Sequence, residues 1–493
     1  MTQASVLPLR IRFSRTNRLS SPAVPRSEQA DRRDGPSRFV FPILAVGAVF
    51  QAIMQTVMVP LLPSMPGFTG AGPAAVSWLL TATLLVGAIM TPIFGRLADM
   101  IGKKRMLVTA FALMTTGSLI CALTSDIGLL IFARGLQGAG AAVLPIGMSI
   151  LRDELPRERV DRAVAVLSAT LGIGTAVGIP FAATIVEFAD WHALFWVTTV
   201  IGAGVLAAAM IFIRESRTRT GGRFDAVGAV GLTGALVCLL VPITQGGIWG
   251  WTSPAVLTMF ATAVVLFVLW GVQQMGNANP LVDLRVSARR AVLAPHLVAL
   301  LVGFAFYGNT LITTQLLQAS PDNGAGYGFS ILQAALCQLP ASFAMMIFAL
   351  VAARVADRFG ARTAMFTGAL FLIVGYAVHA VPDKPVWSVV AAVFIAAIGT
   401  TFVYCTLPLL ILGAVPASQN AAANGVNVLL RTVGSTVCSA VVASILAAST
   451  LTGGVSAAGF SLAYLMCGAC AVIVFGAAFA LPTRALARRA EPI

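Results

Sequence analysis

Charge is scarce in this sequence. Only 10% of its 493 residues are Asp, Glu, Lys or Arg, 58% are hydrophobic and the mean hydropathy is +0.90. A soluble domain of this length could not cover so much apolar surface. Acids are scarcer than bases, 18 against 32, and no carboxylate falls at the middle of an apolar run. Histidines number three; His192, His296 and His379 stand near the ends of apolar runs and read as interfacial polar groups. The seven Cys lie inside such runs, without His at metal-ligand spacing, so neither a disulfide framework nor a metal site is indicated. A Gly-x-x-x-x-Gly-Lys-Ser/Thr loop, a nucleophile elbow and paired catalytic acids are also missing, which excludes a one-chain nucleotide-driven pump and argues against an enzyme. No cofactor is called for.

Apolar sequence is abundant. Fourteen long apolar stretches run between residues 39 and 482, each near the roughly 20 residues that cross ~30 Å of hydrocarbon as a helix. With the N-terminus in the cytoplasm, 29 of the 32 Lys and Arg fall on the inner side of these stretches. Lys384 falls outside, and Arg134 and Arg431 lie within spans. This asymmetry fixes the orientation and puts both termini in the cytoplasm. Trp191, Trp249, Trp251 and Trp387 mark outer ends, as an interfacial aromatic belt would. The net charge of +14 sits in short loops beside spans, where anionic lipid headgroups are its partners and nucleic acid is not.

The expected architecture is an all-α polytopic membrane protein. Residues 1–38 form a disordered basic cytoplasmic tail, although the Arg- and Ser-rich, acid-poor residues 1–27 also fit a transit peptide. Residues 39–213 form one six-helix bundle, 214–292 two inserted central spans, 293–482 a second six-helix bundle and 483–493 a cytoplasmic tail.

One motif occurs twice. Gly95, Arg96, Asp99, Gly102, Lys103, Lys104 and Arg105 follow the second stretch, and Arg354, Asp357, Gly360 and Arg362 follow the tenth at a constant offset. Such duplication marks two halves derived from one bundle. The expected element is a short loop with Gly at both bends. Its acid would bind a neighbouring helix N-terminus and release it during a conformational cycle.

With these residues the chain resembles the major facilitator superfamily, whose members carry G-x-L-a-D-r-x-G-r-k-r after the second span and a degenerate copy in the second half. Further matches are Arg134-Gly135-Leu136-Gln137-Gly138-Ala139-Gly140 in the fourth span, Gly221-Gly222-Arg223-Phe224-Asp225 before the seventh, Gly250-Trp251 before the eighth and Arg431-Thr432-Val433-Gly434 in the thirteenth. They are similar to the fourteen-span drug:proton antiporter branch. The resemblance implies two six-helix bundles with two inserted central spans, acting as a proton-coupled exporter of hydrophobic small molecules; the charge asymmetry sets it in the bacterial inner membrane, and a monomer is expected. Uptake, organic-anion export and a non-transporting sensor or scaffold are the alternatives. The chain departs from the branch twice. Met54 stands where the branch has an Asp two residues before Thr56, and the fifth-span glycine element is only approximated by Gly174, Gly178 and Pro180, with Ala182 and Ala183 in place of glycines.

The resemblance places Arg134, with Gln137 and Gly138, in a central cavity. Gln51 and Gln55, one helical turn apart, share a face and offer acceptors to Arg134 or to cargo. Arg431 is the other charge within a span, in a cavity or as a tie between helices. Gly174 and Gly178 suit close helix packing. Glu187 and Asp190 are the candidates for protonation near the outer mouth.

Overall fold

The computed structural model describes residues 39–479, apart from 63, 217–222, 283, 288–289, 322–325, 382–384, 416–419 and 452–453. The expected tails therefore lie outside the described residues.

Fourteen helices carry the described chain. They are α1 (Val40–Thr56), α2 (Pro73–Ile101), α3 (Lys103–Leu123), α4 (Ile127–Glu154, which includes a 3-10 turn at Ala139–Ala142), α5 (Arg157–Phe188), α6 (Trp191–Phe212) and α7 (Ala226–Trp249). After these come α8 (Pro254–Gly276), α9 (Arg290–Gln318), α10 (Ile331–Phe359), α11 (Ala361–Ala380), α12 (Val386–Ala414), α13 (Asn420–Ala448) and α14 (Ala457–Phe479). Two helices of five residues or fewer and a two-residue antiparallel ladder, Thr450–Leu451 with Gly454–Val455, complete the list. Twelve of the helices are long and apolar enough to cross a membrane, and Val40–Thr56 and Val177–Phe188 are shorter apolar helical stretches.

In an apolar solvent the chain must satisfy its backbone within each helix. Helix starts are closed by side chains: Asp126 accepts from Leu129 N–H at 2.8 Å, Asp225 from Gly228 N–H at 2.8 Å, and Ser330 forms a capping box with Gln333. Buried hydroxyls turn back on their own helices, as Thr83 does to Leu79 O at 3.1 Å and Thr406 to Phe402 O at 2.7 Å. All seven cysteines are free and none is exposed.

The two halves repeat each other in their packing. In the first, α1 packs on α5, α3 on α6, and α4 on α2 and α3; in the second, α9 packs on α13, α11 on α14, and α12 on α10 and α11. The halves meet through corresponding pairs, α5 with α10 and α2 with α13. Helices α7 and α8 pack on each other, and α7 rests on α13 and α2. Glycine permits the closest approaches. A Cβ on Gly178 would come within 2.5 Å of Thr56 Oγ1, one on Gly174 would strike Ala52 and Val49, and one on Gly434 would strike the backbone at Leu300.

Two expectations are corrected here. The duplicated motif is not a loop between two glycine bends: α2 runs to Ile101, so Gly95 and Asp99 are helical, and the turn is the single residue Gly102. His296 and His379 stand near helix ends as expected, but neither is exposed there. His296 is 2% exposed in the second turn of α9, and His379, fully buried, stacks on Tyr464 with ring centroids 4.2 Å apart. His379 lies in the last turn of α11, and each ring turns into the packed second half instead of outward.

Candidate functional site

Between the halves lies a cavity whose empty space, counted with the solvent open to it, is about 620 Å³. Helix α1 lines it with Gln51, Gln55 and Thr56, α9 with Phe306 and Tyr307, α12 with Tyr404, and α13 with Arg431, Thr432 and Ser435. The halves meet on both sides of it. Toward the end carrying the duplicated motif, Gly425 of α13 lies against Thr91 and Pro92 of α2. Toward the opposite end, Ile179 and Ala183 of α5 pack on Ala335 of α10. A second cavity, with about 440 Å³ of empty space counted with its open solvent, shares Phe306 with the first and is lined by Pro180 of α5, Asn309 of α9 and Gln338 and Ser342 of α10, among others.

Arg431 enters the larger cavity with its guanidinium 4.7 Å from the Tyr404 ring centroid, in cation–π range. Gln51 and Gln55 share that cavity. Arg134 does not. It is fully buried in the wall between α1, α2 and α4, where Nη1 donates to Met54 O at 3.0 Å and to Gln137 Oε1 at 2.5 Å, and Nε donates to Leu79 O at 3.3 Å. Gln137 Nε2 passes the chain on to Ser118 Oγ at 3.1 Å. The expected Gln51 and Gln55 acceptors are thus replaced by backbone carbonyls, which a planar fork of donors reaches directly. Gly138 lies behind the same wall, packed on Thr83 O and Gly87.

At the motif end the two copies differ. Gly102 and Gly360 both hold positive φ, +138° and +91°, a region that only glycine enters without strain. Asp99 is 6% exposed, with Lys103, Arg96 and Asp153 as its charged neighbours, whereas Asp357 is exposed. Lys103 Nζ meets Asp153 Oδ2 at 2.6 Å. Lys104 donates its backbone N–H to Glu215 Oε1 at 3.1 Å and its Nζ to Met210 O at 2.7 Å, and Arg105 stands 3.8 Å from Glu215 Oε2. The acid seen accepting at the N-terminus of α3 is therefore Glu215, from the chain after α6. In the second copy Arg354 is exposed, and Arg362 lies over the rings of Phe366 and Phe479 at 5.4 and 5.7 Å.

The two protonation candidates lie outside both cavities. Glu187 is exposed in the last turn of α5. Asp190 caps α6, and the backbone N–H of His192, 2.8 Å away, holds its carboxyl below the usual carboxylate range.

Sequence reasoning had not singled out Tyr307, Tyr404, Asn309, Gln338, Asp153 or Glu215 as site residues. For the first four a signal existed: polar side chains in the middle of apolar runs face protein or water, not lipid. Asp153 and Glu215 lie on segments remote from the motif, and no local pattern links them to it.

Comparison with known proteins agrees with this geometry. The chain matches the Major Facilitator Superfamily over residues 44–439. It is similar to Multidrug resistance protein Stp of Mycobacterium tuberculosis, 29% identical over 412 residues that cover 82% of this chain and 75% of that protein. It is similar also to the Tetracenomycin C resistance and export protein of Streptomyces glaucescens, 26% identical over 329 residues covering 66% and 60% of the two chains. Among solved structures it shares its fold with the human organic anion transporter MFSD10 (TETRAN), with a TM-score of 0.66 at 14% identity over 90% of this chain and all of that one.

Proposed function

The chain belongs to the major facilitator superfamily, and from that premise we propose that it exports hydrophobic small molecules by alternating access, driven by proton influx. It is a multi-pass membrane transporter and not an enzyme. The observation that carries the reading is the cavity held between two halves of matching packing, with the halves touching on both sides of it. Rocking about that cavity would open one end as the other closes. The names of the relatives, a multidrug resistance protein and a resistance and export protein, support the export direction.

In this reading residues 39–213 and 293–482 are the two moving bundles, residues 214–292 carry the inserted spans α7 and α8, and all fourteen helices cross the bacterial inner membrane of a monomer with both termini inside. Gln51, Gln55 and Arg431 contact cargo, while Asp99, Gly102 and the basic residues around them hold the motif end of the first half.

Purified protein in liposomes tests the proposal. A preloaded hydrophobic dye should leave the compartment that corresponds to the cytoplasm when an imposed pH gradient drives protons inward across the protein. Protein-independent flux, or flux indifferent to the gradient, would overturn the proton-driven reading.

A further inference from the structure

The two cavities carry an asymmetry of charge. Among the residues that line them, Arg431 is the only charged side chain, and no carboxylate stands beside it. Its one close partner is the Tyr404 ring, and no hydrogen bond to its guanidinium occurs among the described residues. A guanidinium keeps its proton inside a protein, so this end of the site holds a permanent positive charge whose hydrogen-bond donors are uncommitted. The adjoining cavity is different. Its polar wall is neutral: Asn309 keeps a buried Oδ1 without a partner, and Gln338 is tied by its amide nitrogen to Thr314 Oγ1 at 3.1 Å. Phe306 belongs to both walls.

Resting on the export reading above, we propose that the two cavities form one divided cargo site for flat aromatic organic acids. The acidic group is held by Arg431, the ring lies against Phe306 and Tyr404, and a neutral hydroxyl or amide donor at the far end reaches Asn309 Oδ1. Each part answers an unmet requirement of the wall. A half-buried cation with free donors stabilises an anion and repels a second cation in a medium of low dielectric. A buried carbonyl oxygen without a donor gains from any ligand that supplies one, and penalises a ligand that does not. Aromatic walls at the junction favour a planar body over a branched aliphatic one.

The test uses purified full-length protein and three probes built on one ring system: anthraquinone-2-carboxylate, its uncharged carboxamide and a trimethylammonium derivative. Binding is measured by calorimetry in detergent, and uptake into liposomes is measured in parallel. The carboxylate should bind best and the quaternary ammonium worst. Arg431→Gln should weaken the carboxylate by roughly tenfold or more, as loss of a charge-assisted hydrogen bond predicts, while leaving the carboxamide nearly unchanged. Arg431→Lys should retain the preference for the acid, so the conclusion does not depend on one variant folding. A hydroxyl added at the far end of the ring should improve binding to the parent protein but not to Asn309→Leu.

Equal binding of the carboxylate and the quaternary probe, or an equal loss of acid and amide in Arg431→Gln, would overturn the divided site. Saturable transport of any of the three would still leave the transporter standing. If none is bound and the hydrophobic dye is also not moved, the export reading itself has failed, and the divided site with it.

Discussion

Arg134 shows how a single residue can signal function and deliver architecture. A guanidinium within a span reads as a site by default, because the membrane interior penalises it unless something functional requires it. Its neighbours answer that penalty. Two carbonyls and an amide oxygen, from three helices, take donors from Nε and Nη1, and only Nη2 lacks a partner. Met54, which replaces the acid of the antiporter branch, contributes a backbone carbonyl that any residue would supply. Arg134→Ala should therefore unfold more easily in detergent, by about 3 kcal/mol or more for the acceptors left unmatched. Arg134→Lys should recover only part of this, since an ammonium lacks the planar fork. Thermal unfolding of the purified variants checks it: unchanged stability combined with lost cargo binding would return Arg134 to the cavity. Asp190 carries a second prediction. Its carboxyl is held below the ordinary value, so it stays ionised at neutral pH, and its capping contribution is lost only as pH falls through that lowered value. Asp190→Asn should leave the pH profile of transport in place. A displaced profile in liposome flux would restore this acid as a proton carrier.

At the scale of elements, helix ends hid more than helix middles. The duplicated motif was visible as residues, but its shape was not, because apolar runs show where a span lies and not how many turns the helix continues beyond it. The structure puts Gly95 and Asp99 inside α2 and leaves one residue, Gly102, to turn the chain. The acid that caps α3 comes from over a hundred residues away. The two turns then differ in a testable way. Both glycines hold positive φ, so alanine at either should cost about 1–3 kcal/mol in backbone strain. Around Gly360 there is nothing within 4 Å of an added Cβ, while at Gly102 that atom would come within 2.5 to 2.6 Å of the Glu215 carboxylate. Gly102→Ala should thus lose more stability than Gly360→Ala, and more flux at matched membrane abundance, because it also displaces Glu215 from Lys104 N–H. Equal effects in both assays would mean that the Glu215 contact contributes nothing.

For the whole molecule, the fold was legible because its determinants are local quantities: the length of each apolar run, the side on which bases accumulate, and a motif repeated at a fixed offset. The cavity was not, since it arises where α1, α9, α12 and α13 converge, and convergence leaves no trace along one helix. Gln51 and Gln55 were found because they repeat on one face, whereas Tyr307 and Tyr404 stand alone in apolar runs. The span count is where the two kinds of information meet. Helix α1 has 17 residues, about 26 Å at helical rise, slightly short of the ~30 Å hydrocarbon core. Its chain continues in helical turns, with Val59 N–H to Thr56 O and Leu62 N–H to Met58 O at 3.0 Å, which supplies the missing length. Helix α5, at 32 residues, is long enough throughout. Charge supports crossing by α1: were it to stay on one surface, the eight arginines before it would lie across the membrane from Lys103, Lys104 and Arg105, against the usual bias. Reporter fusions should accordingly place Gly70, Ala189 and Ser320 outside, and Leu155 and the chain after Glu491 inside. A Gly70 fusion active only in the cytoplasm would remove α1 from the spans, and an Ala189 fusion on the same side as Leu155 would remove α5.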